Sequence, residues 1–186
     1  IPNPVNQFQI ATELVVGWRQ VLRHCRKSPL SLTTPKFSKG TSDRPIAPKH
    51  AFRDIPLFRA RSRAGCRFVL STDLNAFYPS VYTHSIPWAL HGKDTAKRLR
   101  NDYSLLGNRL DLALRNAQGQ QTIGIPIGPD TSLAVAEILG SAVDQRVSRF
   151  MQENALRYVD DIECGFMNAS EAESALATVQ NAFAEY

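Results

Sequence analysis

The chain has 186 residues, of which 43% are hydrophobic, and a formal net charge of +5. This length is enough to bury a hydrophobic core, and the composition is that of a globular domain rather than a disordered or fibrous chain. No stretch approaches the roughly 18 consecutive apolar residues of a membrane span, and the three widely spaced cysteines fit a reducing compartment, so we expect a cytoplasmic protein with no membrane partner.

The charge is distributed unevenly between the two parts of the chain. Residues 1–67 contain 13 Lys or Arg residues and 3 Asp or Glu residues, whereas residues 68–186 contain 9 and 14. A basic region is suited to the phosphates of a nucleic acid, and carboxylates are suited to metal ions. The pattern favours a nucleic-acid partner over an ordinary solvated surface.

The first part of the chain is predicted to contain one helix followed by loops. Apolar residues recur with helical spacing over residues 7–24, and a segment rich in Ser, Thr and Pro over 28–56 predicts loops with short strands. Arg59, Arg61 and Arg63 alternate along the chain, so an extended backbone would place them on one face.

The second part mixes helices with strands of a predicted antiparallel sheet. Capping residues are expected among Asp130, Thr131 and Ser132 for one helix, and at Ser170 for the last. The predicted elements are a strand over 68–73, a turn and short helix over 79–92, helices over 94–117 and 130–151, a hairpin over 155–167, and a helix over 170–185. This order predicts an α+β fold.

Two aspartates lie in the predicted hairpin, in the segment Tyr158-Val159-Asp160-Asp161. Strand side chains alternate between faces, so a turn is needed to bring both carboxylates to one site. Carboxylate oxygens are the hard ligands that Mg²⁺ prefers, with phosphates completing its shell. An Asp pair in a surface turn is common, so this segment alone is a weak indication.

Two further segments strengthen the indication. Asp73 ends the apolar strand 68–73, where a carboxylate is costly unless it is paired or bound to metal. Gly124 and Gly128 alternate with prolines, among them Pro126, in a loop that precedes the helix over 130–151. Glycine permits close backbone approach, and proline stiffens the loop.

The order of strand-Asp, Gly/Pro loop with helix, and Tyr-x-Asp-Asp resembles the palm of a reverse transcriptase. The resemblance implies a right-hand polymerase palm over residues 68–186 and a basic, partial fingers region over 1–67. It also implies that early fingers, late palm and thumb are missing, as in an excised domain. Asp73, Asp160 and Asp161 would hold two Mg²⁺ ions, with Mn²⁺ as an alternative, and the Leu74 carbonyl would add a ligand.

The aromatic pair Phe77-Tyr78 bears on the choice of sugar. Similar RNA polymerases carry an acid where this chain has Tyr78, and a bulky ring there fills the space that a 2′-hydroxyl needs. The resemblance therefore implies selection of deoxynucleotides at Tyr78, with Phe77 as the core member of the pair. It disfavours an RNA-templated RNA polymerase.

The resemblance further implies a set of residues that contact the template or primer. Many reverse transcriptases have Gln directly before the first glycine of the loop, whereas this chain has Ile123 there and its nearest Gln is Gln121. Tyr158 would lie near the primer end or serve in packing. The expected contacts are Gly124, Pro126, Gly128, Tyr158, Arg59 and Arg63.

The segment from Phe77 to Lys93 and the run Gly128-Pro129-Asp130-Thr131-Ser132 resemble bacterial abortive-infection and related phage-defence reverse transcriptases. The resemblance implies dNTPs as substrates, an RNA template or untemplated synthesis, and a 3′ or protein hydroxyl as primer. The oligomeric state is left open, with a homo-oligomer as one alternative. A reverse transcriptase of retron, group II intron or diversity-generating type is an alternative. A non-catalytic nucleic-acid-binding module is an alternative of another class. His84 and His91 are expected to be hydrogen-bonded structural residues.

Overall fold

A computed structural model describes residues 3–38, 44–151 and 155–186. The fold is α+β and largely helical, as predicted, with two small antiparallel sheets among these residues. Its helices are α1 (Pro4–Val16), α2 (Trp18–Cys25), α3 (Ile55–Arg63), α4 (Phe77–Ser80), α5 (Ser85–His91), α6 (Lys93–Arg98), α7 (Leu106–Asn116), α8 (Asp130–Val147) and α9 (Ala169–Phe183). Its strands are β1 (Pro35–Phe37), β2 (Ile46–Pro48), β3 (Phe68–Thr72), β4 (Leu156–Tyr158) and β5 (Asp161–Phe166), and 3-10 turns cover Phe52–Asp54 and Ser148–Phe150.

The larger sheet has the strand order β3-β5-β4, with all neighbours antiparallel. Strands β4 and β5 form the predicted hairpin, in which Tyr158 is opposite Asp161. Strand β3 pairs with the other edge of β5 and ends with Thr72 opposite Ile162. If this register continues by one residue, Asp73 lies opposite Asp161. The end of β3 and the hairpin loop therefore meet at the same end of the strands, which is called the sheet edge below.

Helices cover both faces of this sheet and bury β5 on both sides. Ile162 and Phe166 face the apolar residues of α8 and α9. On the opposite face α3 approaches closely: a Cβ at Gly165 would lie 2.4 Å from the backbone oxygen of Ser62. The absence of a side chain at Gly165 therefore lets α3 pack directly on the strand.

Helix α8 is the centre of the core. Most of its residues from Thr131 to Asp144 are buried, as expected for a helix that is apolar on nearly all sides. Ile10 and Leu14 of α1 and Leu110 of α7 belong to the same apolar cluster as its residues Ile138 and Leu139. No helix among the described residues is long and apolar enough to cross a membrane.

Several predicted elements differ from the structure in detail. The helix predicted over 7–24 is broken at Gly17, where a Cβ would lie 2.3 Å from Leu106, and the one over 94–117 is broken by a turn between α6 and α7. Pro129 and Asn168, not the predicted residues, are the N-caps of α8 and α9. Asp130 instead accepts a hydrogen bond from the Ile46 backbone.

The segment with alternating arginines is helical rather than extended. The alignment of Arg59, Arg61 and Arg63 required an extended backbone, and this condition is not met because residues 55–63 form α3. Arg59 and Arg63 are one turn apart in this helix and therefore share a face, which is the face against β5.

Candidate active site

The carboxylates predicted to act together are brought together at the edge of the larger sheet. Burial raises the pKa of Asp160 above its ordinary value, and the negative charges of Asp73 and Asp161 raise it further. The Asp73 carboxyl is also close enough to Asp160 for a hydrogen bond that has the same effect. The strand end and the hairpin loop thus form a like-charge cluster that a cation would stabilise.

The hairpin loop that carries Asp160 is strained. Its first residue, Val159, has φ of +58°, which is an outlier for a β-branched side chain. Such a conformation costs on the order of 1–3 kcal/mol and persists only where the surrounding structure enforces it. Thr33 Oγ1 accepts a hydrogen bond from Val159 N at 3.2 Å, and Arg157 Nη1 donates one to Val159 O at 2.6 Å.

Arg157 holds this loop from inside the core. Its side chain is fully buried, and it lies between two equally buried acids of α8. Nη1 and Nη2 donate to Glu137 at 2.8 and 3.2 Å, while Nε donates to both oxygens of Asp144 at 3.0 and 2.9 Å. Together with the bond to Val159, these contacts connect the hairpin to the central helix.

The two acids differ in how many donors they receive. Although burial alone would raise the pKa of Glu137, the Arg157 guanidinium and the hydroxyls of Ser31 and Thr33 hold it below the usual value. Both hydroxyls donate to Glu137 at 2.6 Å. Among the described residues, Asp144 accepts hydrogen bonds from Arg157 and Ser28, and burial raises its pKa. Burial lowers the pKa of Arg157, but Asp144 and Glu137 outweigh it and raise the pKa above its usual value.

The guanidinium of Arg157 rests directly against α8. A Cβ at Gly140 would lie 2.5 Å from Arg157 Cζ, so glycine is the residue that leaves room for it. Glu137, Gly140 and Asp144 follow one another at helical spacing on a single face of α8. This polar face of an otherwise apolar helix accommodates the Arg157 side chain.

A second set of ion pairs lies on the opposite face of the sheet. Arg63 donates to both oxygens of the buried Glu163 at 2.8 and 2.7 Å. Arg59 lies 3.6 Å from Asp161 and 3.5 Å from Glu163. Arg59 and Arg63, predicted to contact nucleic acid, therefore have carboxylate partners within the chain, and their contact with a strand stays a prediction.

Tyr78 lies in α4, the short helix that follows β3 and Asp73. Burial raises the pKa of Tyr78 to about 12, and the charge of Asp160 contributes to the rise. Tyr78 is half-buried, whereas Phe77 is 7% exposed and packs edge-on against Phe183. The prediction that Phe77 is the core member of the pair is confirmed.

The Gly/Pro loop runs alongside the turn that carries Tyr78. Gly124 and Gly128 have φ of +93° and +111°, a region that favours glycine. Ile125 N donates to Tyr78 O at 2.8 Å, so the start of the loop is fixed to Tyr78. At its other end Gly128 O accepts from Arg44.

The remaining predicted residues have less specific surroundings. Leu74 packs against the main core, Pro126 is half-buried, and Tyr158 lies edge-on to Phe52 at 6.0 Å. The glutamine in contact with the loop is Gln118, whose amide donates to Gly124 O at 2.7 Å, whereas Ile123 is exposed. These contacts do not test the prediction that Leu74 binds metal or that Pro126 and Tyr158 contact the template or primer.

The two histidines are hydrogen-bonded, as predicted. His84 Nδ1 lies 2.9 Å from Asp111 Oδ2, and His91 Nε2 accepts a hydrogen bond from Gly107 N at 3.1 Å. Burial lowers the pKa of His91, which keeps the ring neutral and able to accept.

The carboxylates fit a Mg²⁺ site that relies on its substrate. Within residues 3–38, 44–151 and 155–186, no three or more His, Cys, Asp or Glu side chains are arranged to hold a metal ion by themselves. Protein sites for Mg²⁺ commonly supply one or two carboxylates and leave the other positions to phosphates and water. The juxtaposed Asp73 and Asp160, with Asp161 adjacent, match that donor set.

Sequence reasoning missed the residues that support the hairpin. Glu137 and Asp144 are seven residues apart in an apolar helix, which places them on one face, and Arg157 stands beside the apolar residues of a short strand. Acids at this spacing, with a glycine midway, were the signal for a buried cation. In the same way, the acid Glu163 inside the buried strand β5 indicates a cationic partner, and the arginines of α3 are that partner.

No protein family matches the sequence, and no curated protein is significantly similar to it.

The Arg157 contacts predict a large loss of stability on substitution. Arg157→Met should lower the free energy of unfolding by about 3–5 kcal/mol, because it leaves Glu137 and Asp144 buried without a cation. Arg149→Met, at an exposed position, is the control and should change stability by less than about 0.5 kcal/mol. Urea denaturation followed by circular dichroism measures both, and equal effects would contradict the buried network.

The close approach at Gly140 predicts that alanine at this position destabilises the protein, whereas helix propensity alone predicts that it stabilises the protein. Replacing a helical glycine by alanine normally stabilises a protein by roughly 0.5–1 kcal/mol. Here Gly140→Ala should instead destabilise by about 1–3 kcal/mol, because its Cβ would overlap the guanidinium. Thermal denaturation decides the sign, and a raised melting temperature would show that Arg157 does not lie against α8.

Proposed function

We propose that this chain is the catalytic palm, with part of the fingers, of a Mg²⁺-dependent RNA-directed DNA polymerase of the reverse-transcriptase type. It adds deoxynucleotides to a 3′ or protein hydroxyl and releases pyrophosphate, with or without a copied template. Bacterial antiphage defence is the proposed setting, on the resemblance of its motifs alone.

The observation that carries the proposal is the meeting of Asp73 with Asp160. These residues are 87 positions apart in the sequence, yet the register of β3, β5 and β4 brings them to one sheet edge. Burial raises the pKa of Asp160, and the negative charges of Asp73 and Asp161 add to the rise. Like charges held together repel one another, and a bound cation would relieve this repulsion, which supports a role in binding a cation.

Phosphoryl transfer needs alignment of the reacting groups and neutralisation of charge more than covalent help from the protein. Bound metal ions would activate the attacking hydroxyl and stabilise the leaving pyrophosphate. Asp73 and Asp160 would supply carboxylate ligands, and Asp161 would add charge beside them. The strained loop, held by Thr33 and Arg157, keeps Asp160 from moving away from Asp73.

Tyr78 supports a preference for deoxynucleotides. Its half-buried ring lies near Asp160, and the backbone of the Gly/Pro loop is bonded to its carbonyl. A ring fixed at this position excludes a 2′-hydroxyl by its volume, so the phenol oxygen itself is not required.

Single-nucleotide addition tests the proposed chemistry. We expect Mg²⁺-dependent incorporation of labelled dNTP onto a primer annealed to RNA, or onto the protein itself. Asp73→Asn and Asp160→Asn should lower the rate by roughly 10²-fold or more, the scale of losing a charge-stabilising group.

The matched control is Asp94→Asn, which neutralises an exposed acid of α6 far from the hairpin in sequence. It should leave the rate unchanged. Incorporation that survives both Asp73→Asn and Asp160→Asn would exclude this site as the catalytic centre. Incorporation that persists without template after nuclease treatment would identify untemplated synthesis.

Two substitutions at Tyr78 test the sugar preference. Tyr78→Ala should reduce the discrimination between dNTP and rNTP by about tenfold or more, because space opens for the 2′-hydroxyl. Tyr78→Phe keeps the ring and should retain the discrimination. Competition between dGTP and GTP in the same assay gives the ratio, and an unchanged ratio in Tyr78→Ala would remove Tyr78 from this role.

A second candidate function is a nucleic-acid-binding module without catalysis. It is favoured by the proximity of Arg59 to Asp161, which gives one acid of the pair a cationic partner within the chain. The basic segment 1–67 would then bind the strand. Binding of RNA or DNA that is equal in the wild type and Asp160→Asn, with no incorporation by either, would favour this module.

A further inference from the structure

A cavity separate from the carboxylates lies among α5, α6 and α7. Its volume is about 500 Å³, within the range of small-molecule sites. Its wall includes Trp88, Lys97, Arg100, Tyr103, Asp111 and Arg115. None of its lining residues belongs to the candidate active site, so ligand binding in this cavity is independent of the proposed function.

The cations and the aromatic rings lie together in this wall. Lys97 and Arg100 are exposed at its rim, and Lys97 lies 5.9 Å from the centre of the Trp88 ring. Tyr103 is 48% exposed and presents a second ring. Lysine and arginine beside aromatic faces are the combination that binds a phosphate together with a planar base.

The buried acid Asp111 restricts the ligand further. It is only 6% exposed, and its Oδ2 contacts His84 at 2.9 Å and Arg115 at 3.2 Å. Its other oxygen, Oδ1, is buried and has no hydrogen-bond partner among the described residues. A buried acceptor without a donor is unfavourable, so a ligand that brings an N–H or O–H group would be stabilised here.

A simple inorganic anion does not satisfy all of these features, because it has no planar ring to lie against the aromatic side chains. The matching ligand carries negative charge at one end, a planar ring, and a hydrogen-bond donor. We propose that the cavity binds a nucleoside phosphate, either as a free nucleotide or as an unpaired nucleotide of a single strand. Its phosphate contacts Lys97 and Arg100, its base lies against the exposed ring of Tyr103, and a base or sugar donor is directed towards Asp111.

Fluorescence anisotropy tests the proposal with two probes, N-methylanthraniloyl-GTP and a fluorescein-labelled single-stranded DNA pentamer. EDTA is present throughout, so that metal-dependent binding at Asp73 and Asp160 is suppressed. We expect saturable binding of at least one probe by the full chain. Binding of GTP identifies a free nucleotide as the ligand, and binding of the pentamer alone identifies a strand.

Variants locate the binding. Arg100→Ala should weaken it about tenfold, the scale of one charged hydrogen bond. Arg98→Ala, which removes an exposed arginine of α6 outside the cavity, should stay within twofold of wild type. Asp111→Asn, which turns one acceptor oxygen into a donor, should also weaken binding.

Four results would overturn the proposal. These are no saturable binding of either probe, displacement by inorganic tripolyphosphate as efficient as by GTP, equal losses in Arg98→Ala and Arg100→Ala, and abolition of binding by Asp160→Asn. If Asp160→Asn removes dNTP incorporation but leaves this binding intact, the two sites are separate. If the proposed polymerase function is wrong, the test of nucleotide binding in this cavity is unaffected.

Discussion

The buried Arg157 guanidinium is the constraint on which the candidate site depends. It joins two acids of the central helix and donates to the carbonyl of Val159, a residue with an unfavourable backbone conformation. A buried ion pair contributes little net stability compared with apolar packing, although breaking one is costly. Its value here is geometric: the hairpin has one position relative to α8, and Asp160 consequently has one position relative to Asp73.

The two faces of the sheet serve different purposes. On the α8 face, Arg157 connects the hairpin to the helix, and Thr33 connects it to the basic N-terminal segment. On the α3 face, Arg63 neutralises Glu163, and Arg59 lies near Asp161. The acids inside the sheet are thus paired, whereas Asp73 and Asp160 at its edge repel one another. This is the place where the proposed substrate and its metal would bind.

Apolar periodicity predicts much of the fold, and three motifs predict most of the residues of the candidate active site. The strand before Asp73, the Asp-Asp hairpin and helix α8 were predicted because their patterns are local and strong. The breaks at Gly17 and between α6 and α7, and the helical state of α3, depend on tertiary contacts that periodicity does not contain. Arg157 and its acids were missed because partners far apart in sequence are identified only once α8 and β4 are packed together.

The most direct test of this account is the binding of Mn²⁺, as a paramagnetic substitute for Mg²⁺, measured by electron paramagnetic resonance with dGTP present. The carboxylate cluster predicts bound Mn²⁺ in the wild type and in Asp94→Asn, and a marked loss of bound Mn²⁺ in Asp73→Asn and in Asp160→Asn. Equal binding in all four proteins, or binding in none, would contradict the conclusion that the sheet edge is built to hold a cation.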